Sequence, residues 1–168
     1  MHIEPLSRSH DKARKAFDCG KEPLNRYLRE QAGQDAKARV AATFVFVDDA
    51  KGRVAGYYTL SSLSVKACDL PAEAQRKLPR YPDVPVTLLG RLAIDTDYQG
   101  HRHGEYLLLD ALQRSLTTSR SIASFAVLVD AKDDGARGFY ERYGFMQFPD
   151  QPLWLFLPMT TIEQLKLG

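Results

Sequence analysis

The features that mark several special classes of protein are scarce in this sequence of 168 residues. Its two cysteines, Cys19 and Cys68, lie far apart and match no metal-binding or redox spacing. No apolar run approaches the roughly 18 residues of a membrane-spanning helix, and the first residues lack the layout of a signal peptide. Internal repeats and low-complexity tracts are also missing. We therefore expect a cytoplasmic protein with reduced thiols and no membrane segment.

What is present is the composition of an ordinary globular domain. Hydrophobic residues make up 44% and charged residues 26%, and we expect one domain spanning residues 1–168. The net charge of +2 does not by itself indicate a nucleic-acid-binding protein. The basic residues are nevertheless clustered, and the sequence leaves open whether they form a solvated surface or one basic face beside a cleft. The clusters are Lys12, Arg14 and Lys15; Lys37 and Arg39; Arg76, Lys77 and Arg80; and Arg137 and Arg142.

Hydrophobic periodicity and turn residues give an alternating order of strands and helices. Strands are predicted over residues 1–8, 43–47, 54–65, 86–94, 122–129, 145–148 and 153–157. Helices are predicted over residues 23–37, 71–78 and 134–143 and in a segment that follows Gly104. This order is a meander followed by two β–α–β steps. It predicts an α/β (α+β) fold in which a mixed, mostly antiparallel sheet carries helices on both faces.

Residues 91–104 are the most informative segment, because their pattern predicts a buried strand, a short turn with glycine and the start of a helix. Such a turn gathers unpaired backbone N–H groups at the positive end of the helix dipole, and a pyrophosphate is their natural ligand. An ordinary strand-to-helix turn gives the same pattern, so the loop alone leaves both interpretations open. We expect the side chains of His101 and His103 to diverge, and we expect no metal site.

Residues 133–145 carry a second pattern, and at this point the sequence resembles the GNAT family of N-acetyltransferases. The family signature reads Asn-x-x-Ala-x-x-hydrophobic-Tyr-x-Lys/Arg-x-Gly-Phe, and Asp133 stands in place of the asparagine. The matching positions are Ala136, Phe139, Tyr140, Arg142, Gly144 and Phe145. The family's pyrophosphate motif, Gln/Arg-x-x-Gly-x-Gly/Ala, is matched at its two ends by Gln99 and Gly104.

Four further segments resemble the acetyltransferase toxins of bacterial toxin–antitoxin pairs. They are residues 17–28 (Phe-Asp-Cys-Gly-Lys-Glu-Pro-Leu-Asn-Arg-Tyr-Leu), 56–61, 89–95 and 105–112. The resemblance implies a toxin that uses acetyl-CoA to acetylate the α-amino group of aminoacyl-tRNA and so blocks translation. It also implies a ribbon-helix-helix antitoxin, operator DNA bound only through the toxin–antitoxin complex, and a homodimer.

The same resemblance implies roles for individual residues. Tyr140 would be the general acid for the leaving thiolate. Arg91 would help to hold the acceptor RNA, and a salt bridge at the strand end is the alternative for this residue. Backbone groups of Leu92, Ala93 and Ile94 would bind the pantetheine arm of acetyl-CoA. The pyrophosphate would be held by Gln99, Gly100, His101, Arg102, His103 and Gly104, and the far side of the groove would be lined by Ala136 and Phe139.

Arg102 stands where the family motif has its central glycine, which permits close backbone approach and unusual dihedral angles. We expect acetyl-CoA still to bind, because a guanidinium group can add a contact to phosphate. The opposite expectation is that the side chain crowds the diphosphate, which would leave a cofactor-poor module for antitoxin or operator binding. A second alternative is a generic GNAT enzyme that acetylates a small-molecule or protein amine. An α-amino acceptor is slightly favoured over lysine, because its pKa of about 8 leaves part of it neutral at pH 7.

Overall fold

The computed structural model of this chain describes residues 1–167. These residues divide into two compact units. The first unit comprises Met1–Ser61 and Gly90–Ala111, and the second comprises Ser62–Leu89 and the chain from Leu112 onward.

Seven strands form one mixed sheet. They are β1 (His2–Pro5), β2 (Ala42–Asp48), β3 (Arg53–Lys66), β4 (Asp83–Ile94), β5 (Ala126–Asp130), β6 (Met146–Phe148) and β7 (Gln151–Pro158). Their order in the sheet is β1-β2-β3-β4-β5-β7-β6. The pairs β1–β2, β2–β3, β5–β7 and β6–β7 are antiparallel, whereas β4 and β5 are parallel. The sheet is therefore of the mixed type that the sequence predicts.

The helices are interleaved with these strands. They are α1 (Glu22–Arg26), α2 (Ala32–Ala38), α3 (Ala72–Arg76), α4 (His103–Thr118), α5 (Asp134–Glu141) and α6 (Met159–Gln164). A π-helical turn over Tyr27–Gln31 joins α1 to α2. Pro23 lies in the first turn of α1, where its missing N–H group costs no hydrogen bond. Together with the sheet, these helices confirm the predicted α/β fold.

Several elements differ from the prediction. The strand predicted over residues 1–8 covers only His2–Pro5, and a 3₁₀ turn begins at Arg8. The strand predicted over residues 122–129 begins only at Ala126, because the residues before it, including the exposed Ile122, lie in turns and bends after α4. The helix predicted over residues 23–37 is interrupted by the π-helical turn. The sequence predicts no helix at α6, where two adjacent β-branched threonines weaken the helical pattern.

Each unit has its own hydrophobic core. In the first unit, Phe17, Tyr27, Leu28 and Tyr57 pack with residues of β2 and β4. This packing fixes α1 and the π-helical turn against one face of the strands. In the second unit, side chains from β3, α3, β4, β5, β6 and β7 pack together around Phe156. Within residues 1–167, we find no helix that is both long and apolar enough to cross a membrane.

Candidate active site

Strand β4 leads directly into the loop that the sequence singles out. It pairs with β5 over residues 87–89 and then continues to Ile94. Asp95 follows and caps a 3₁₀ turn over Thr96–Tyr98, with its carboxylate accepting a hydrogen bond from the Asp97 backbone N–H at 3.0 Å. The end of the strand is thus fixed by a buried acid immediately before the predicted phosphate loop.

Two residues of this loop have left-handed backbone angles, Gly100 with φ of 82° and Arg102 with φ of 60°. Gly100 adopts this conformation without steric cost, and a Cβ atom added to it would meet no atom within 4 Å. Arg102 carries a Cβ atom, so the same conformation costs roughly 1 kcal/mol. The Arg102 carbonyl accepts the Tyr106 N–H at 3.1 Å, which is the first hydrogen bond of α4. The loop therefore keeps a glycine-like path despite the arginine.

Buried Asp95 connects this loop to residues 17–28, the first of the segments that resemble the toxins. Its carboxylate accepts hydrogen bonds from the Asp18 N–H at 3.0 Å and from the Arg53 guanidinium at 3.2 Å. The Thr96 N–H donates to the Asp18 carbonyl at 2.8 Å. Two motifs that are distant in sequence thus form one hydrogen-bonded unit.

Gln99 and Asn25 complete this connection. The Gln99 side-chain amide donates to the carbonyls of Ile94 at 2.9 Å and of Cys19 at 3.3 Å. Buried Asn25 accepts the Cys19 N–H and donates to the Asp18 carboxylate, both at 2.8 Å. Gln99 therefore has a role in fixing the loop. The sequence assigns no such role to Asn25 or Asp95, although both lie inside segments that carry the resemblance.

The start of α4 is secured by His103. Its Nδ1 atom donates to the Tyr98 carbonyl at 2.9 Å, and its ring packs edge-on against Phe46 with centroids 5.1 Å apart. The expectation that His101 and His103 diverge is wrong, since their ring centroids are 5.8 Å apart. In the part of the chain that the structure describes, no group of three or more His, Cys, Asp or Glu side chains is placed to hold a metal ion.

Helix α5 carries the second signature. The Asp133 carboxylate accepts the Ala136 N–H at 2.8 Å and so caps the helix, which is the capping role that asparagine also performs. The helix ends at Glu141, slightly earlier than predicted. Gly144 follows with φ of 92°, the left-handed conformation that glycine adopts most easily after a helix.

Tyr140 is buried on α5, with 8% of its surface exposed. Its ring contacts those of Phe139 and Phe145, with centroids 5.2 and 5.3 Å apart. Burial raises the pKa of Tyr140 well above its ordinary value, so the phenol is protonated at neutral pH. Within residues 1–167, no protein group forms a hydrogen bond with its hydroxyl. The helix thus presents a neutral hydrogen-bond donor in an apolar setting.

Among residues 1–167, Arg91 forms no salt bridge at the strand end, which is the alternative that the sequence offers. Its guanidinium carbon lies 3.4 Å from the centroid of the Tyr27 ring. The Tyr27 hydroxyl donates to an oxygen of Asp35 at 2.8 Å, which fixes the ring. Arg91 is therefore held by stacking on an aromatic face rather than by an ion pair.

The basic clusters have different surroundings. Arg14 and Lys37, from two separate clusters, line the same surface depression together with Arg8 in the first unit. Arg14 is also bonded to Asp11 at 2.7 Å. Arg137 instead forms ion pairs with Asp134 and Glu141, both within α5. One residue from each of these two N-terminal clusters therefore lines the same depression, whereas Arg137 pairs only with acids of its own helix.

Gly56 on β3 is a residue whose role the sequence does not predict. A Cβ atom added to it would lie 2.7 Å from Ile94 Cδ1 and 2.9 Å from the Ala93 carbonyl oxygen. The backbone of β4 is thus allowed to approach β3 closely at the residues expected to bind pantetheine. Residues 56–61 carry part of the resemblance to the toxins, but that resemblance does not explain why position 56 is glycine.

The predicted site residues belong to both units. Arg91, Leu92, Ala93, Ile94 and the loop from Gln99 to Gly104 lie in the first unit. Ala136, Phe139 and Tyr140 lie in the second unit. Their individual roles in binding and catalysis remain predictions.

The chain matches known proteins along most of its length. The family model of the acetyltransferase (GNAT) family matches residues 10–145. A tRNA-acetylating toxin from Mycobacterium tuberculosis is 40% identical over 144 residues, which cover 86% of this chain and 84% of that protein.

Solved structures agree with this assignment. A point mutant of KacT superposes on this chain with a TM-score of 0.91 and is 32% identical in sequence. AtaT complexed with acetyl-methionyl-tRNAfMet superposes with a TM-score of 0.90 and is 30% identical. Both comparisons cover 98% of this chain and 98% of the other. Further AtaT structures contain acetyl-CoA, the antitoxin AtaR, or AtaR with DNA. The family match and the shared fold show that this chain belongs to the acetyltransferase (GNAT) family.

Proposed function

We propose that this chain is a toxin that transfers an acetyl group from acetyl-CoA to the α-amino group of aminoacyl-tRNA and thereby blocks translation. The observation that carries the proposal is the fold match, with a TM-score of 0.90 over 98% of both chains, to AtaT complexed with acetyl-methionyl-tRNAfMet. The 40% identity to a tRNA-acetylating toxin supports the same substrate class.

The residues of the first unit suit acetyl-CoA. Leu92, Ala93 and Ile94 lie on β4 beyond its pairing with β5, so their backbone groups can bind the pantetheine amides as an added strand would. Open space beside Gly100 and the N–H groups at the start of α4 suit the pyrophosphate.

The Arg102 side chain supports phosphate binding. It is exposed and has no hydrogen-bond or ion-pair partner in the described part of the chain. It can therefore add a charge-assisted contact to the pyrophosphate. These features favour the expectation that acetyl-CoA binds, rather than the expectation that Arg102 excludes it.

Acetyl-CoA supplies an acyl thioester whose carbon–sulfur bond breaks when the amine nitrogen bonds to the carbonyl carbon. The Tyr140 hydroxyl donates a hydrogen bond to the leaving sulfur, which departs as a thiolate and takes its proton from solvent. Even for an ordinary tyrosine, complete proton transfer to a thiolate is uphill by about 2 kcal/mol, and the raised pKa of Tyr140 increases this cost. Tyr140 therefore acts chiefly by stabilising the negative charge that develops on sulfur.

The acceptor amine needs little help from the protein. An α-amino group has a pKa of about 8, so a useful fraction is neutral and nucleophilic at pH 7. Its extra proton passes to solvent after attack, and no strong base on the protein is required.

We extend the proposal to partners. AtaT, which this chain resembles, is found with its antitoxin AtaR and with DNA. We propose that this chain binds a ribbon-helix-helix antitoxin, reaches operator DNA through that complex, forms a homodimer and acts in the cytoplasm, where aminoacyl-tRNA is used.

The test is to incubate the protein with acetyl-CoA and bulk aminoacyl-tRNA, hydrolyse the ester and identify the released amino acids by mass. N-acetyl amino acids are expected. Acetylation confined to free amines would support the generic enzyme. No acetylation of any amine, together with no binding of acetyl-CoA, would support the cofactor-poor module.

A further inference from the structure

The residues that lead into the predicted phosphate loop are bound to the hairpin that joins β2 to β3. Arg53, the first residue of β3, donates to both oxygens of buried Asp95 at 3.2 Å. It also donates to an oxygen of Asp97 at 2.7 Å. One guanidinium group can hold two carboxylates at once, because its five N–H donors form a planar fork. Arg53 therefore fixes the 3₁₀ turn after β4 to the start of β3.

Tyr98 makes the second connection to the same hairpin. Its buried hydroxyl donates to an oxygen of Asp48, the last residue of β2, at 2.7 Å. This hydrogen bond lowers the pKa of Asp48, so the carboxylate is ionised at neutral pH and the bond is charge-assisted. Lys51 Nζ and Arg53 Cζ each lie 5.5 Å from the centroid of the Tyr98 ring. Both the hydroxyl and the ring of Tyr98 are thus held by residues of the hairpin.

These connections reach the loop through the backbone of Tyr98. Its carbonyl accepts a hydrogen bond from His103 Nδ1 at 2.9 Å, at the start of α4. Between Tyr98 and His103 lie Gly100 and Arg102, the two residues with left-handed backbone angles. The loop is therefore closed at both ends on one tyrosine, and that tyrosine is fixed to the hairpin.

A loop of this kind gains affinity when its N–H groups are oriented before the ligand arrives, because less conformational entropy is then lost on binding. The alternative role for Arg53 is to attract the anionic ligand by its charge. That charge, however, faces the two carboxylates of Asp95 and Asp97. Negative groups next to a phosphate site weaken anion binding through their field. The contribution of these three residues is therefore to the geometry of the loop.

We propose that Arg53, Asp95 and Tyr98 are positioning residues, which hold the loop from Gln99 to Gly104 in the conformation that binds the pyrophosphate of acetyl-CoA. The assignment of the pyrophosphate to this loop rests on the proposed function. Binding of coenzyme A needs neither aminoacyl-tRNA nor acetyl transfer, so the positioning role can be measured separately.

The test compares coenzyme A with pantetheine, which has the same thiol arm but no pyrophosphate. Titration calorimetry measures the first ligand, and titration followed by nuclear magnetic resonance measures the weaker second one. Asp95→Asn keeps the side-chain shape and removes a negative charge, so the field alone would tighten coenzyme A binding. We expect the opposite, a Kd for coenzyme A that rises about 10-fold, since charge-assisted hydrogen bonds that fix the loop are lost. The Kd for pantetheine should not change.

Two further variants guard against misfolding of Asp95→Asn. The Asp97 side chain is 67% exposed, so Asp97→Asn removes one bond to Arg53 without disturbing the core. Tyr98→Phe removes the bond to Asp48 and keeps both the ring and the net charge. Each should raise the Kd for coenzyme A roughly 3-fold to 10-fold, the effect of one lost hydrogen bond to a charged group.

Asp49→Asn is the matched charge control. Asp49 lies in the same hairpin, its side chain is 64% exposed, and it pairs with His2 rather than with the loop. This variant should bind coenzyme A at least as tightly as the wild-type protein. Equal weakening in Asp49→Asn and Asp97→Asn would overturn the proposal. Tighter or unchanged binding of coenzyme A in Asp95→Asn, or an equal loss for pantetheine and coenzyme A, would overturn it as well.

The binding measurements separate this inference from the proposed function. If the variants weaken coenzyme A binding as expected but the wild-type protein never acetylates aminoacyl-tRNA, the function fails and the positioning role stands. If aminoacyl-tRNA is acetylated and the variants bind coenzyme A as the wild-type protein does, the function stands and the positioning role fails.

Discussion

At the scale of single residues, Arg102 departs from a sequence motif while its backbone adopts a conformation that glycine adopts freely. Its φ angle of 60° lies in the region that glycine adopts freely, as Gly100 does two positions earlier with φ of 82°. The cost of the substitution therefore falls on the stability of the protein rather than on the path of the loop.

Replacing Arg102 with glycine should relieve this strain. We expect Arg102→Gly to raise the free energy of unfolding by roughly 0.5–1 kcal/mol, since the relief of left-handed strain is partly offset by the greater freedom of glycine in the unfolded chain. Urea denaturation measures the change. Gly100→Ala is the matched control and should lower stability, because it introduces the same strain at a site with open space. A lower stability of Arg102→Gly would contradict the strain argument.

The same pair of proteins tests the binding of acetyl-CoA. We expect titration calorimetry to detect binding to the wild-type chain, with Arg102→Gly binding equally or more weakly, since the proposed guanidinium contact to phosphate would be lost. No binding to the wild-type chain and restored binding to Arg102→Gly would show instead that the side chain crowds the diphosphate.

Tyr140 is the residue on which catalysis should depend most. We expect Tyr140→Phe to lower kcat/KM for acetyl transfer by roughly 10²–10³, the usual effect of removing one hydrogen-bond donor that stabilises developing negative charge, and to leave acetyl-CoA affinity almost unchanged. The rate is measured by release of free thiol. Tyr143→Phe, on the turn after the same helix, should keep activity near the wild-type level. Full activity in Tyr140→Phe would remove Tyr140 from the mechanism.

At the scale of elements, the close approach of β3 and β4 at Gly56 determines the position of the strand that we expect to bind pantetheine. We expect Gly56→Ala to lower the free energy of unfolding by about 1–3 kcal/mol, because its Cβ would lie 2.9 Å from the Ala93 carbonyl oxygen. Acetyl-CoA affinity should fall as well, as β4 must shift. Gly138→Ala on α5 is the matched control, since its Cβ would meet no atom within 4 Å, and it should be neutral or stabilising. Equal effects of the two changes would contradict this account.

The elements also show how far the sequence could be interpreted. β3 and α5 carry clear periodicity and helix-end signals, and both are confirmed with small shifts of their ends. The residues before Ala126 are apolar like the strand that follows, so composition could not locate the start of β5. The π-helical turn depends on packing of Tyr27 against Tyr57 rather than on local propensity. The bond from Asp18 to Asp95 joins residues 77 positions apart, which no single-sequence pattern reveals.

At the scale of the whole molecule, GNAT membership, the mixed sheet and the acetyl-CoA-dependent class of reaction are confirmed, and the toxin subgroup agrees with the names of the relatives. These could be predicted because residues 17–28 and 133–145 combine many specific positions in a fixed order. The roles of single residues could not be derived in the same way. Arg91 is an example, since its contact with Tyr27 arises only when β4 and the π-helical turn pack together.

Buried tyrosines give the molecule a predicted limit of stability at high pH. Burial raises the pKa values of Tyr57 and Tyr140, and it raises those of Tyr27 and Tyr98 to about 12. Their contribution is fully present below the unfolded pKa of about 10 and is lost as pH rises through the folded values. Above about pH 10, Tyr57 and Tyr140 should each lower the free energy of unfolding by up to about 1.4 kcal/mol per pH unit. Urea denaturation with tyrosinate absorbance follows this loss, and a constant stability to about pH 11 would contradict it.

The central claim is that acetyl transfer to aminoacyl-tRNA is what makes this protein a toxin. The most direct measurement adds the protein to a cell-free translation system freed of acetyl-CoA, restores acetyl-CoA, and recovers the aminoacyl-tRNA for mass analysis. The account predicts that synthesis stops only after acetyl-CoA is restored and that the recovered amino acids are N-acetylated. Arrest without acetyl-CoA, or arrest with an unmodified aminoacyl-tRNA pool, would contradict it.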